Sequence, residues 1–163
     1  MFIKMLFSIF LITTLVSCDE GGDPDPGKTN TGQFAGDWYI TGTKSDGSGL
    51  SFENALHETF NTAANDNTMW LVDQHTGYYV KCKFTIDENG NFSATDSQNF
   101  DDGGTNDTFV TITDGHIIKG GGISKGGHVV DKIIFRAHFS YDPDGFDILY
   151  EGHKRTGFLE DEY

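Results

Sequence analysis

An antiparallel up-and-down β-barrel of about eight strands is the fold this sequence predicts, and three observations lead to it. From Phe34 onward, apolar and polar residues alternate in short runs, the two-residue period of a half-buried strand. Gly, Asn and Asp punctuate those runs, with 21 Gly against 3 Pro in 163 residues, which is turn chemistry between strands. Helical periodicity never lasts beyond about two turns. Closing such a sheet removes its unpaired edges, which favours a barrel over the alternative, a β-sandwich.

The chain opens with a different grammar. Lys4 precedes an apolar run from Met5 to Val16, which ends on Ser17 and Cys18. That run is too short for a bilayer core that needs ~20 residues. Its positive, apolar, small-residue order is that of a secretory leader, so residues 1–17 are expected to be a signal peptide. Leu15-Val16-Ser17-Cys18 resembles the bacterial lipobox, which implies that Cys18 is lipidated and becomes the new amino terminus. Residues 18–33, rich in Asp, Gly and Pro, then read as a flexible acidic tether, because they bury too little to offset chain entropy. Acidic residues straight after the lipid cysteine resemble the surface-export signal of Bacteroidota lipoproteins and equally suit solubility, so the expected address is the outer membrane, lipid-anchored, on either its periplasmic or its cell-surface side.

Residues 34–163 are expected to form the single barrel domain. Its strands are predicted at 36–44, 67–73, 77–87, 91–96, 107–113, 115–123, 128–141 and 146–155. Asn89-Gly90 suits a tight primed hairpin, Asp114-Gly115 likewise, and Asp142-Pro143-Asp144-Gly145 a strong turn. Residues 50–64 break the pattern. Phe52, Leu56 and Phe60 recur every fourth residue, so a short helical or irregular segment is expected there, covering one barrel end.

Alternation assigns the two faces. Trp38, Ile40, Trp70, Val72, Tyr78, Val80, Cys82, Phe84, Ile86, Ile133, Phe135, Ala137, Phe139, Tyr141, Ile148 and Tyr150 share the predicted inner face, while Lys81, Lys83, Lys132, Arg136, His138, Asp147, Glu151 and His153 take the outer one. An eight-stranded barrel is wide enough for side chains or for one small ligand. The candidate ligand lining is therefore aromatic: Trp70, Tyr78, Phe84, Phe109, Phe135, Phe139, Tyr141 and Tyr150. Trp38 near the start and Arg155 near the end meet where a barrel closes, and the Arg155 guanidinium laid across the Trp38 indole is expected to act as a structural clasp.

Gly36-Asp37-Trp38 paired with a late arginine resembles the calycin pattern shared by lipocalins and their relatives. Phe34-Ala35-Gly36-Asp37-Trp38, the stretch from Asn61 to Asp66 followed by Met69-Trp70-Leu71-Val72-Asp73, and the whole stretch from Gly127 to Tyr163, with its ending Gly152 to Asp161 the most specific part, together resemble the Bacteroidota family named "lipid-binding putative hydrolase", small lipoproteins with a lipocalin-like barrel. The resemblance implies lipid binding in a calycin-like barrel.

Several chemistries are disfavoured. A net charge of −14, one unit more negative once Lys4 is removed, repels nucleic acid, so no nucleic-acid partner is expected. No G-x-S-x-G elbow is present, Ser48 and Ser124 sit in glycine-rich turns, and Cys82 falls mid-strand on the apolar face. The six histidines show no H-E-x-x-H or paired ligand spacing, and the acidic turns lack the final Glu of an EF-hand loop. Hence no catalytic residue, metal or cofactor is assigned. The expected function is a lipid-anchored envelope lipoprotein that binds a small apolar or amphipathic ligand. The alternatives are an accessory lipoprotein docking another envelope protein, and a hydrolase.

Overall fold

The computed structural model describes residues 29–101, 103, 105, 107–142 and 145–163. Residues 1–28, which hold the expected leader, Cys18 and most of the expected tether, lie outside the described residues. Eight antiparallel strands close into a barrel in chain order: β1 Gly36–Lys44, β2 Leu50–Asn61, β3 Thr68–Val72, β4 Lys81–Ile86, β5 Asn91–Gln98, β6 Phe109–Ile123, β7 Val129–Phe139 and β8 Ile148–Lys154. Each strand pairs with the next, and β1 pairs with β8 from Trp38↔Lys154 to Lys44↔Ile148. The expected up-and-down barrel is therefore the fold, and the sandwich is not.

The strand map differs from the sequence reading in three places, the first being that β4 starts at Lys81 and not at residue 77. Residues 50–61 are a strand and not a helical or irregular segment. Its fully buried residues are Ala55, His57 and Thr59; Phe52 also packs against the core, whereas Leu56 and Phe60 alternate with the buried set. Residues 107–113 and 115–123 are not two strands joined at Asp114-Gly115. They are one strand, β6, which shifts register between Thr113 and His116, with Asp114 at φ 53°. The extra residue is absorbed as a bulge, which bends the strand around the barrel without reversing it. A second shift between Ile118 and Gly122 contains Gly120 at φ 62°. At residues 87–90, only Gly90 is left-handed, at φ 86°, and Asp87 accepts the amides of Asn89 and Asn91. This is an Asp-stabilised turn, not the primed hairpin expected there.

Connections β1–β2, β3–β4, β5–β6 and β7–β8 lie at one end of the barrel, called upper below. The lower end holds a short 3-10 turn, Gly32–Phe34, that packs Phe34 into the core. Chain docking starts slightly earlier, since Thr31 is buried and the Asn30 amide donates to Asn65 Oδ1. Between β4 and β5 only Thr85↔Ser93 and Ile86↔Phe92 pair. Farther up, side chains bridge the seam: the Lys83 amide donates to Ser97 Oγ and the Lys81 amide to Asn99 Oδ1.

Trp38 stands at the closing seam, fully buried, with Nε1 donating to Thr59 Oγ1 at 2.9 Å while that hydroxyl donates to Phe34 O at 2.8 Å. The cation over the indole is Lys154, its Nζ 5.8 Å from the ring centre and donating to Ala35 O at 2.9 Å. Lys154 passes so close to Gly36 that a Cβ there would lie 2.5 Å from Cε. Arg155, expected on the indole, instead grips Glu162 through Nε at 2.9 Å and Nη2 at 2.8 Å, and reaches Asp37 Oδ2 at 3.4 Å. A planar guanidinium satisfies a carboxylate with two parallel bonds, an arrangement no indole offers. Glu162 also accepts from Tyr39 Oη, and Tyr163 lies edge-on to Tyr39. The last residues thus strap back over β1.

Asp161 pins the same strap to the β6–β7 turn. It accepts from the Gly126 amide, Thr156 Oγ1 and His128 Nδ1. Burial opposes its ionisation, but hydrogen bonds from Thr156, Ser124, Gly126 and His128 outweigh that and hold its carboxyl well below the usual range. A depressed carboxyl contributes stability that is complete above the unfolded value of ~3.9 and is lost as pH falls toward the folded one. The gap in denaturation midpoint between the parent and Asp161→Asn is expected to be full at pH 6 and to shrink below about pH 4; a gap constant down to pH 2 would contradict this. Thr59→Val, near-isosteric but unable to link Trp38 to Phe34, is expected to cost about 1–3 kcal/mol by urea denaturation.

Candidate functional site

A ladder of rings fills the barrel. Phe84 meets Phe92 at 4.8 Å between centroids, Phe92 meets Phe135 at 5.6 Å, and Phe135 stacks on Tyr150 at 4.4 Å. Phe139 continues upward to Tyr78 at 4.7 Å. The lower barrel is thus a packed core, so Phe84 and Phe135, expected to line a ligand cavity, are fully engaged with neighbouring rings.

Polar groups enter the upper half. His57 on β2, Asp73 just after β3 and Tyr150 on β8 are each 0% exposed, and His57 Nε2, Asp73 Oδ2 and Tyr150 Oη have no hydrogen-bond partner in the protein. The rings of His57, Tyr150 and Phe52 form a triangle with centroid separations of 5.2–5.7 Å. His57 Nδ1 lies 2.9 Å from Ala55 O. A carbonyl only accepts, so Nδ1 carries the proton and Nε2 presents a bare lone pair. Burial pushes the His57 pKa down, against the opposing effects of the Ala55 bond and the Asp73 charge, which keeps the ring neutral. Burial, aided by the Asp73 charge, raises the Tyr150 phenol far above its ordinary value, so it stays protonated.

The β3–β4 loop roofs these groups. A Cβ on Gly77 would sit 3.2 Å from Asp73 Oδ2 and 3.5 Å from His57 Nε2, so both acceptors are covered by the one residue without a side chain. Gln74, His75 and Tyr79 adopt left-handed backbone, at φ 51°, 60° and 53°. Three such residues in one loop store strain of the kind found at binding sites. The loop is tied down from outside. Tyr141 Oη donates to Tyr78 O, Asn99 Nδ2 to Tyr79 O, and His75 pairs with Asp101 at 3.0 Å. Beside it lies a cleft of about 320 Å³, lined by Tyr78, Tyr79, Asn99, Asp101, Thr108 and Tyr141.

The expected lining therefore divides. Tyr78, Phe139, Tyr141 and Tyr150 gather at the upper end, with Tyr141 39% exposed on the cleft wall. Trp70 is on the outer wall: the inward residues of β3 are Met69 and Leu71, followed by Asp73 just beyond the strand, and the indole meets Phe100 and Lys83 outside. Phe109, 41% exposed, also lies outside the core. His57 and Asp73 were not among the residues expected to line the ligand. A histidine alternating with Ala55 and Thr59 was the available signal, but it looked like a loop.

Two arrangements bear on hydrolysis. Ser124, His128 and Asp161 cluster, yet Ser124 Oγ at 3.4 Å and Asp161 Oδ2 at 3.0 Å both face the same ring nitrogen, His128 Nδ1. A catalytic triad needs the hydroxyl and the acid on opposite nitrogens, so this cluster is a turn anchor. Cys82 is buried, and burial pushes its thiol up to about 12, leaving no thiolate nucleophile. Among the described residues, no group of three or more His, Cys, Asp or Glu is placed to hold a metal ion. The unpaired hydroxyl of Tyr150 yields a direct test. Tyr150→Phe removes a buried polar atom that has no partner, and is expected to stabilise the protein by about 1 kcal/mol in equilibrium denaturation; a loss of stability would mean that the hydroxyl is satisfied.

The chain is similar to a Bacteroides ovatus protein of unknown function seen in a crystal structure, with 13% identity and a TM-score of 0.50 over 80% of this chain. It spans only 43% of that protein's length, so the likeness is one of fold. A search of curated proteins finds no match. The family model described as "Lipid-binding putative hydrolase" matches residues 23–159, and the chain belongs to that family.

Proposed function

We propose that this protein is a lipid-anchored lipoprotein of the cell envelope that binds a small apolar or amphipathic molecule at the upper end of its barrel. The observation that carries the reading is the juxtaposition of an aromatic-walled cleft of about 320 Å³ with three buried, unpartnered polar atoms beneath a strained loop. Ligand sites are typically ~300–1,000 Å³, mostly apolar, with a few placed polar groups that fix orientation. Membership of a family described as lipid-binding points the same way. Tyr78, Tyr141 and Tyr150 are the contact residues in this reading, whereas Trp70 and Phe109 are not.

Attachment rests on the leader and on Cys18. Two or three acyl chains hold a protein stably to a bilayer where one holds it only marginally, and the acidic tether keeps the barrel away from anionic headgroups. The outer membrane, with the barrel facing outward, is the proposed location. Neither the Ser124 cluster nor Cys82 supplies a nucleophile, so turnover is not part of the proposal.

Two measurements check this. Cys18→Ser is expected to move the protein from the membrane fraction to the soluble one; retention in membranes would remove the anchor. Protein carrying that change is expected to enhance the fluorescence of the neutral probe N-phenyl-1-naphthylamine saturably, and Tyr141→Ala to weaken binding about tenfold, equivalent to ~1.4 kcal/mol. A flat titration would remove the binding site.

A further inference from the structure

We propose that the ligand enters head first and that its head is an uncharged hydroxylated group, a vicinal diol such as the glycerol of a monoacylglycerol, held by His57, Asp73 and Tyr150. This rests on the reading of the upper barrel as a ligand site and specifies the chemistry of that site. His57 Nε2 offers only a lone pair, because its other nitrogen donates to Ala55 O. Asp73 Oδ2 is a second acceptor, its sister oxygen already accepting the His75 amide at 3.0 Å. Tyr150 Oη is a donor, kept protonated by its burial and by the Asp73 charge. All three atoms are unpartnered and buried.

Three common lipid heads meet this set differently. A carboxylate brings no proton for either acceptor and places a second negative charge beside Asp73, a repulsion that a dry interior amplifies. An ammonium satisfies both acceptors but offers Tyr150 no lone pair, and must shed its hydration to be buried. Hydroxyl oxygens donate and accept at once. Two of them give a proton to His57 and to Asp73 and take one from Tyr150, leaving no buried polar atom unpaired. The rest of the molecule has a matching place: the cleft beside Tyr78 and Tyr141 adjoins the roof and is walled by rings. Entry requires the peptide at Gly77 to lift. That peptide is covered by no side chain of its own, and its nearest outer ties are the bonds of Tyr141 to Tyr78 O and of Thr76 to Leu56 O.

The test is competition against N-phenyl-1-naphthylamine at pH 8 by monododecanoylglycerol, dodecanoate and dodecylamine, three amphiphiles with matched chains, each kept below its micelle concentration. The glycerol ester is expected to displace the probe at a concentration at least about tenfold lower than either charged competitor, which corresponds to ~1.4 kcal/mol or more. Tyr150→Phe, which keeps the fold, is expected to reduce that advantage to about threefold or less. If dodecanoate or dodecylamine displaces the probe as well as the ester does, the head-group assignment falls while binding at the barrel end stands. If the probe binds and Tyr150→Phe leaves the ester's advantage intact, the assignment of the head to these three residues falls. If the probe itself fails to bind, both proposals fall together.

Discussion

Closure of β1 on β8 is the constraint from which the rest of the molecule follows. Seven successive residue pairs join the first strand to the last, and Trp38 stands inside that seam with its indole nitrogen satisfied through Thr59. Because the sheet has no free edge, each inward side chain faces a finite interior, and side-chain size decides what fills it. The terminal strap reinforces the seam from outside. Arg155 ties Glu162 to Asp37, and Asp161 ties the same segment to the β6–β7 turn. Residues 155–163 thus brace the barrel wall from outside.

Within that wall the two halves obey different rules. Below, rings pack on rings in a buried apolar core. Above, a histidine, a carboxylate and a phenol are buried without being paired to one another, which costs stability that the aromatic ladder and the strap must offset. The roof contributes to the same imbalance through three left-handed residues outside glycine. Natural folds tolerate such local violations where a ligand resolves them. His57 and Tyr150 sit on the two strands that flank β1, so residues of the closing wall themselves carry the unpaired polar atoms.

How much of this was legible in the sequence follows from the same division. The barrel, its closing residues and the inner faces of β4, β7 and β8 were readable because apolar and polar residues alternate there without ambiguity. β3 was misassigned by one residue: Met69, Trp70, Leu71 and Val72 are all apolar, so a period of two gives no phase. β2 was missed because its inward face carries His57 and Thr59, the residues that make the upper half polar, which erased the pattern used to find strands. The count of eight was right only because a missed strand and a divided one cancelled. Asp114-Gly115 reads as a hairpin turn from local chemistry, and only the continuous pairing with β7 on both sides shows it to be a bulge. Arg155 was placed correctly at the seam but given the wrong partner, since Glu162 seven residues later is a better match for a guanidinium than the indole and nothing in the local pattern revealed the strap.

Native-state amide hydrogen exchange, read peptide by peptide, tests the closed seam most directly. Buried, paired strands open only with the whole fold, whereas strained loops open locally. The account predicts that amides of residues 36–44 and 148–154 exchange as slowly as the slowest strands of the sheet, and that residues 73–80 exchange much faster. Seam amides exchanging ahead of β6 and β7 would contradict it, since they would mark an open sheet whose first and last strands merely lie side by side.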